Sequence, residues 1–234
     1  MALVSRTARL LEFRQLSPQT RHFVFDVPET ETLEYEPGQF VSFSMECNGK
    51  SVTRAYSIAS PPGGNRFDLC LNLVEEGLLS PRLFALKPGD TVAMKGPLGG
   101  FTLRPSAEAS VFVASGTGVA PFRAMIPAAL AAAPSREATL LFGTRYESGI
   151  LYGDEFSDLA RRDARFRFWP TLTRAQAEWP GRRGRVQEHL AEVCAGRRDL
   201  TAYVCGLKAM VDDVRAMLRG MGFERSQVRY EKYD

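Results

Sequence analysis

Between residues 20 and 95 apolar and polar positions alternate with a period of two. Thr20–Val27 (TRHFVFDV), Gln39–Met45 (QFVSFSM), Arg66–Val74 (RFDLCLNLV) and Thr91–Lys95 (TVAMK) each place their large apolar side chains on alternate positions, the pattern of half-buried strands. Turn-forming stretches separate them: Pro37-Gly38, Pro61–Asn65, Pro88-Gly89-Asp90 and Gly96-Pro97. Short alternating strands with such turns predict an antiparallel barrel or sandwich, with one short helix over Pro81–Leu86. After about Pro105 the period changes. Ser110–Ala114, Ala138–Gly143, Arg165–Thr173, Ala202–Cys205 and Gln227–Tyr230 are apolar runs, and helical stretches intervene, one ending near Ala132 and one over Lys208–Arg219. Strands alternating with helices predict a parallel sheet covered on both faces. The boundary falls near residues 101–108, so domains of 1–104 and 105–234 are expected.

Composition narrows the function classes. The chain has 234 residues, 44% hydrophobic and 24% charged, with a formal net charge of +3; it is a globular chain, and bulk charge gives no case for nucleic-acid binding. No apolar run approaches the roughly 20 residues of a membrane-spanning helix, and charge interrupts the first ten residues, so neither a membrane segment nor a signal peptide is expected. Cys47, Cys70, Cys194 and Cys205 are scattered without CxxC spacing. They read as buried free thiols of a cytoplasmic protein. The spacing of a plant-type iron–sulfur site is missing, so no metal ligands are assigned and any such cluster would belong to a partner.

Three segments carry chemistry. In Ser115–Phe122 (SGTGVAPF) a buried strand leads into glycines and a helix leaves them; such a turn lets backbone approach a ligand and points helix N–H groups at a phosphate. A tight strand–helix turn is the alternative. In Arg54–Ser60 (RAYSIAS) Arg54, Tyr56 and Ile58 share a face, pairing a guanidinium for phosphate with a ring for a flat ligand; an ordinary half-exposed strand fits as well. In Glu75–Leu83 (EEGLLSPRL) a glycine turn precedes Ser80 as helix N-cap and Pro81 as first helical residue, either simple capping or a second anion-binding helix start. His22 and His189 have no motif context and read as structural or surface residues.

Together these segments resemble the ferredoxin–NADP reductase family of flavoproteins in its short bacterial form. Arg54-x-Tyr56-Ser57, Gly77–Leu83 with Lys87–Asp90, Gly96–Phe101, Gly116–Pro121, and Tyr203–Gly206 with Met210 match its motifs in order, from about residue 5 to the C-terminus. The resemblance implies an N-terminal antiparallel Greek-key β-barrel that binds FAD, followed by a five-stranded parallel α/β domain that binds NADPH. It implies that Arg54, with Ala55, meets the FAD pyrophosphate. Tyr56 stacks on the flavin and Ser57 hydrogen-bonds near its N5. Cys70, Leu71, Asn72 and Leu73 line the flavin edge, and Leu78, Leu79 and Ser80 hold the pyrophosphate. Gly116, Thr117 and Gly118 form the nucleotide loop, with Gly206, Met210 and Cys205 beside the nicotinamide. Tyr233 fits the place of an aromatic that covers the flavin. Ser57, Cys205 and Tyr233 are the catalytic candidates. The family's terminal tryptophan is missing, and Glu75 and Glu76 stand where relatives often place basic residues. NADPH is implied to enter a cleft between the domains, hydride to pass from nicotinamide C4 to flavin N5, and single electrons to leave to a ferredoxin or flavodoxin.

The residues also address the choice of nicotinamide. From Arg161 to Arg198 ten arginines face four acidic residues, a local positive field or a solvated surface. Thr144-Arg145 and Thr173-Arg174 follow two predicted strands, and Arg185 precedes a helix. Open α/β sheets bind ligands at strand C-terminal ends, and a hydroxyl with a guanidinium suits a phosphate monoester. NADPH is therefore expected over NADH. Lys50, Arg82, Lys87 and Lys232 are the candidate docking charges for an acidic partner. The rival readings are an NADH-dependent reductase component of an oxygenase and a non-catalytic flavin-binding electron-transfer subunit.

Overall fold

The computed structural model describes residues 5–47, 49–105, 108–197 and 199–233. Arg198 of the arginine-rich run, Asp234, and two residues of the expected boundary segment lie outside them. The chain divides into two compact units, Met1–Thr102 with Ala120–Met125, and Leu103–Val119 with Ile126–Asp234.

The first unit holds β1 (Ser5–Ser17), β2 (Thr20–Asp26), β3 (Phe40–Cys47), β4 (Lys50–Ser57), β5 (Arg66–Asn72), α1 (Ser80–Ala85) and β6 (Thr91–Leu98). The strands form one antiparallel sheet in the order β4-β3-β6-β1-β2-β5. An isolated bridge from Ile58 to Leu69 joins the two ends, which closes the sheet into a barrel. The long β1 escapes the hydrophobic alternation because Arg, Glu and Gln crowd it; only Ala8 and Leu10 are fully buried, and register shifts break its period at Leu10/Glu12 and Gln15/Ser17. Inside, Phe25 packs on Phe43 and Phe67 with ring centroids 5.1 and 5.7 Å apart.

The second unit holds β7 (Ala109–Ser115), α2 (Ala120–Ala132, its first turns belonging to the first unit), β8 (Glu137–Thr144), α3 (Gly153–Arg162), β9 (Phe166–Leu172), β10 (Arg182–Arg183), α4 (Val186–Cys194), β11 (Leu200–Leu207), α5 (Lys208–Gly220) and β12 (Val228–Tyr233). All pairs are parallel, in the order β10-β9-β8-β7-β11-β12. The two-residue β10 adds a sixth strand to the five that periodicity predicts; two residues carry no period to read. Val186, Leu190, Val211, Val214 and Leu218 of α4 and α5 share a core with Val111, Val113, Leu141, Ala202 and Val204 of the sheet. All four cysteines are buried and outside any disulfide. Among the described residues no helix is long and apolar enough to cross a membrane.

Asp212 ties α5 to β12. It accepts from Lys232 at 2.6 Å and Lys208 at 2.9 Å, and these bonds hold its carboxyl at about 2, below its ordinary 3.8. On acidification the unfolded chain takes up this proton first, so the stabilisation is complete above 3.8 and is lost as pH falls toward about 2. Asp212→Asn is expected to melt below the wild type at neutral pH, with the two melting curves converging at low pH; a gap that does not close would remove this carboxylate as its cause.

Candidate functional site

In the first unit, β4 and the segment after β5 supply the predicted groups. Tyr56 pairs with Val41 of β3 and its ring lies 5.8 Å from that of Phe43. It is half-buried, and burial pushes its phenol up to about 12. It is therefore a neutral ring with one face on the core. Arg54 is exposed, and the partner of its guanidinium is the neighbouring carbonyl of Thr53 at 2.9 Å, not a carboxylate. Ala55 is exposed and Ser57 is buried. Cys70 and Leu71 are buried, Asn72 is exposed, and Leu73 is half-buried. β5 is the last strand of the sheet order, and the Leu73 amide just beyond it donates to the Gln19 carbonyl at 2.7 Å.

The segment from Val74 to Ser80 differs from its sequence reading in one respect. The N-cap of α1 is Leu79, with no side-chain cap, and Ser80 is already helical. Its hydroxyl instead accepts from the Val74 amide at 3.0 Å and donates to the Val74 carbonyl at 3.2 Å. The tightness of the Gly77 turn explains this: a Cβ there would sit 2.9 Å from the Val74 carbonyl oxygen and 3.2 Å from Ser80 Oγ, and the hydroxyl staples the loop closed. Leu79 is buried, while Leu78 and Val74 stay 50% and 56% exposed. The Leu78 carbonyl accepts from the Cys47 thiol at 3.3 Å, which fixes the loop beside the β3–β4 hairpin and hence on the strand of Arg54 and Tyr56.

In the second unit, the predicted residues line up along the C-terminal edge of the sheet. Gly116 and Thr117 follow β7, Arg145 follows β8, Thr173 and Arg174 follow β9, and Arg185 comes after β10 and heads α4. Backbone hydrogen bonds join Thr173 N to Thr144 O at 3.0 Å and Arg174 N to Arg145 O at 2.8 Å. The two Thr-Arg pairs, 29 positions apart in the chain, thus become neighbours. Arg174 also donates to the Tyr146 hydroxyl at 3.1 Å. No guanidinium of Arg145, Arg174 or Arg185 has a carboxylate partner among the described residues, while the Arg185 main-chain N–H donates to the Glu188 carboxylate at 2.6 Å.

Four other arginines of the run are used internally. Arg165 binds Asp163 and three carbonyls. Arg182 stacks on Trp169 at 3.6 Å and bonds Glu192. Arg183 holds the carbonyls of residues 175, 176, 177 and 179, and Arg197 pairs with Asp199 and Glu137. Lys232, expected as a docking charge, is engaged by Asp212. His22 is buried with Nε2 3.6 Å from Asp68, and His189 Nε2 bonds the Arg183 carbonyl and Thr171; both are structural.

The glycines of the turn have separate causes. A Cβ on Gly118 would stand 2.3 Å from the Cys205 carbonyl oxygen and 2.6 Å from Gly206 Cα, whereas one on Gly116 meets nothing within 4 Å. Gly118 therefore serves close packing of the turn on β11, and Gly116 faces open space. Gly206 is pressed in turn: its Cβ position is 2.5 Å from Ser115 Oγ and 2.9 Å from Met210 Cε. Cys205 is fully buried, burial pushes its thiol well up, the Glu231 charge adds to this, and the Tyr233 side chain hydrogen-bonds it. It is a neutral thiol, not a thiolate nucleophile. Two contributors escaped the sequence reading. Ser115 Oγ is buried without a hydrogen-bond partner at the mouth of the turn, and its only signal was a serine closing an apolar run. Tyr146, 47% exposed, had none.

These donor sets fit the two nucleotides. A half-buried neutral ring and an exposed guanidinium without a carboxylate partner suit a flavin dinucleotide. An open glycine turn, an orphaned hydroxyl and three guanidiniums without carboxylate partners suit a phosphorylated pyridine dinucleotide. Tyr56→Ala is expected to weaken FAD binding about fivefold, since aromatic stacking contributes ~1 kcal/mol beyond burial; the flavin-to-protein absorbance ratio after dialysis measures it, and undiminished retention would remove the ring from the site.

The fold and donors define a two-domain oxidoreductase that uses FAD and a nicotinamide dinucleotide. Residues 7–103 match the model of an oxidoreductase FAD-binding domain, and residues 112–216 that of an oxidoreductase NAD-binding domain. The chain is 42% identical to ferredoxin–NADP reductase B of Sorangium cellulosum over 97% of both chains, and it belongs to the ferredoxin–NADP reductase family. It is 28% identical to the toluate 1,2-dioxygenase electron transfer component of Pseudomonas putida, over 97% of this chain and 67% of that one. Among solved structures it resembles the Amycolatopsis cytochrome P450 reductase GcoB (TM-score 0.89, 28% identity, 98% of this chain and 70% of that one). It shares its fold with a ferredoxin NADP+ reductase from Neisseria gonorrhoeae (TM-score 0.85, 20% identity, 97% and 98%).

Proposed function

We propose that this oxidoreductase passes electrons between NADPH and a separate one-electron carrier, a ferredoxin or flavodoxin, in the cytoplasm, with residues 1–104 as its FAD domain and 105–234 as its nucleotide domain. The observation that carries the choice of NADPH is the set of three guanidiniums without carboxylate partners among the described residues, at the ends of β8, β9 and β10. A 2′-phosphate needs such cations, whereas a bare ribose diol is met by an acidic residue at a strand end, and Glu147 is the nearest acid after β8.

The redox chemistry, acceptance of a hydride and its release as single electrons, is that of bound FAD. The chain positions and insulates. Arg54 supplies a bidentate fork to the pyrophosphate, and Tyr56 offers its free face to the ring. Ser57 places a hydroxyl at N5, and Leu78, Leu79 and Ser80 line the phosphates with backbone. In the second unit Gly116 and Thr117 leave room for the nicotinamide half. Thr144, Arg145, Thr173, Arg174 and Arg185 hold the 2′-phosphate, and Ser115 donates into the turn. Cys205, kept neutral, shapes the wall together with Gly206, Met210 and Tyr233.

Anaerobic titration with NADPH and NADH separately, read by flavin absorbance and followed by a panel of ferredoxins and flavodoxin, tests the reading. Bleaching at lower NADPH than NADH, then reoxidation by a carrier, is expected. A colourless protein that refuses FAD would overturn it, and preference for NADH would favour the oxygenase-component reading that the Pseudomonas putida relative supports. If Lys50, Arg82 and Lys87, all exposed, guide an acidic carrier, its reduction rate falls with rising salt; a flat salt response would exclude that role.

A further inference from the structure

We propose that the second unit carries a separate site for a small organic dianion, a phosphate monoester or a dicarboxylate with an apolar body. It is a cavity of about 440 Å³ between the end of α5 and the start of β12, walled by Arg215, Arg219, Arg225, Glu224, Phe223 and Tyr230. Its size is that of small-molecule sites, ~300–1,000 Å³. Neither the Arg219 nor the Arg225 guanidinium has an ion-pair or hydrogen-bond partner among the described residues. Arg215 lies 3.6 Å over the Tyr230 ring, and its carboxylate, Asp212 at 3.5 Å, is already shared with Lys208 and Lys232. Glu224 is the carboxylate on the wall, and it is drawn into a reciprocal cap with Gln227.

An excess of two positive charges therefore surrounds one cavity, and guanidinium forks match carboxylate and phosphate alike. Phe223, 4% exposed, and the ring of Tyr230, 43% exposed, give the apolar part of a ligand a surface. The place differs from that of the nucleotide residues. Those stand at the C-terminal ends of parallel strands, while this cavity lies where α5 ends and β12 begins, at the opposite edge of the same sheet.

Phenyl phosphate and phthalate are the probes, with benzoate as the monoanionic control, titrated into the FAD-loaded protein and followed by amide NMR shifts. The expected result is saturable shifts at Gly222, Phe223, Arg225 and Val228, with either dianion binding at least about tenfold tighter than benzoate. Arg219→Ala/Arg225→Ala weakens the dianion about tenfold or more, while Arg145→Ala/Arg174→Ala leaves it unchanged. Glu224→Gln, which keeps a hydrogen-bonding side chain, tightens it. Stronger phenyl phosphate binding identifies a phosphate monoester as the natural class, and stronger phthalate binding a dicarboxylate. No saturable shifts here with either dianion, or equal affinity in Arg219→Ala/Arg225→Ala with an unchanged flavin spectrum, would overturn the proposal.

Discussion

Gly118→Ala is expected to cost about 3 kcal/mol and lower the melting temperature by ~6–12 °C, because its methyl group has backbone in its way and no side chain that can swing aside. The obstacles are the Cys205 carbonyl oxygen at 2.3 Å, its carbon at 2.5 Å and Gly206 Cα at 2.6 Å. Relief requires the turn to move off β11, and the turn carries Gly116 and Thr117. The KM for NADPH should therefore rise at least about tenfold, since small displacements of positioned groups are costly. Flavin content should be retained. Gly116→Ala is the internal control. At φ +53 it carries the left-handed strain alone, with nothing within 4 Å of its Cβ, and should cost only ~1 kcal/mol. Equal effects of the two substitutions would show that the turn's glycines serve conformation and not packing on β11.

Arg145→Ala/Arg174→Ala is expected to raise the KM for NADPH by about 100-fold while changing that for NADH by less than about twofold. Charge-assisted hydrogen bonds contribute ~1.5–3 kcal/mol each, and the pair would lose roughly 3 kcal/mol against the phosphate. The two backbone bonds that join the Thr-Arg pairs are main-chain and survive the change, so the loss reports on the guanidiniums. Tyr146→Phe adds a graded step: it removes the hydroxyl that accepts from Arg174 and should weaken NADPH binding by ~1 kcal/mol, about fivefold. Steady-state kinetics with both nucleotides measures both variants, and parallel losses with NADPH and NADH would end the assignment of these arginines to the 2′-phosphate.

The parts legible in the sequence were those that a local period or a short motif encodes. Apolar runs announced β7, β8, β9, β11 and β12, and alternation announced β2, β3, β5 and β6. β1 was not legible, because charged residues occupy its solvent face and bulges break its period. The role of Ser80 was misread, because serine before proline is a capping signal and the competing partner, the Val74 peptide unit, lies six positions back across a glycine turn. The arginine-rich run looked uniform from Arg161 onward. Only pairing in space divides it into arginines that hold loops, as Arg183 does, and arginines whose guanidiniums have no carboxylate partner among the described residues, such as Arg174 and Arg185.

The sequence by itself determined the order of elements, the change from period-two strands to buried parallel strands, and the residue types available for flavin and nucleotide. Each of these depends on neighbours within a few positions, where strand and helix geometry fixes which side chains share a face. Tertiary structure alone decided that Ile58 meets Leu69 to close the barrel, that Thr144-Arg145 and Thr173-Arg174 stand side by side, and that Gly118 is reserved for the Cys205 backbone. Those outcomes rest on strand order and on hydrogen bonds between distant segments, which composition and spacing do not encode.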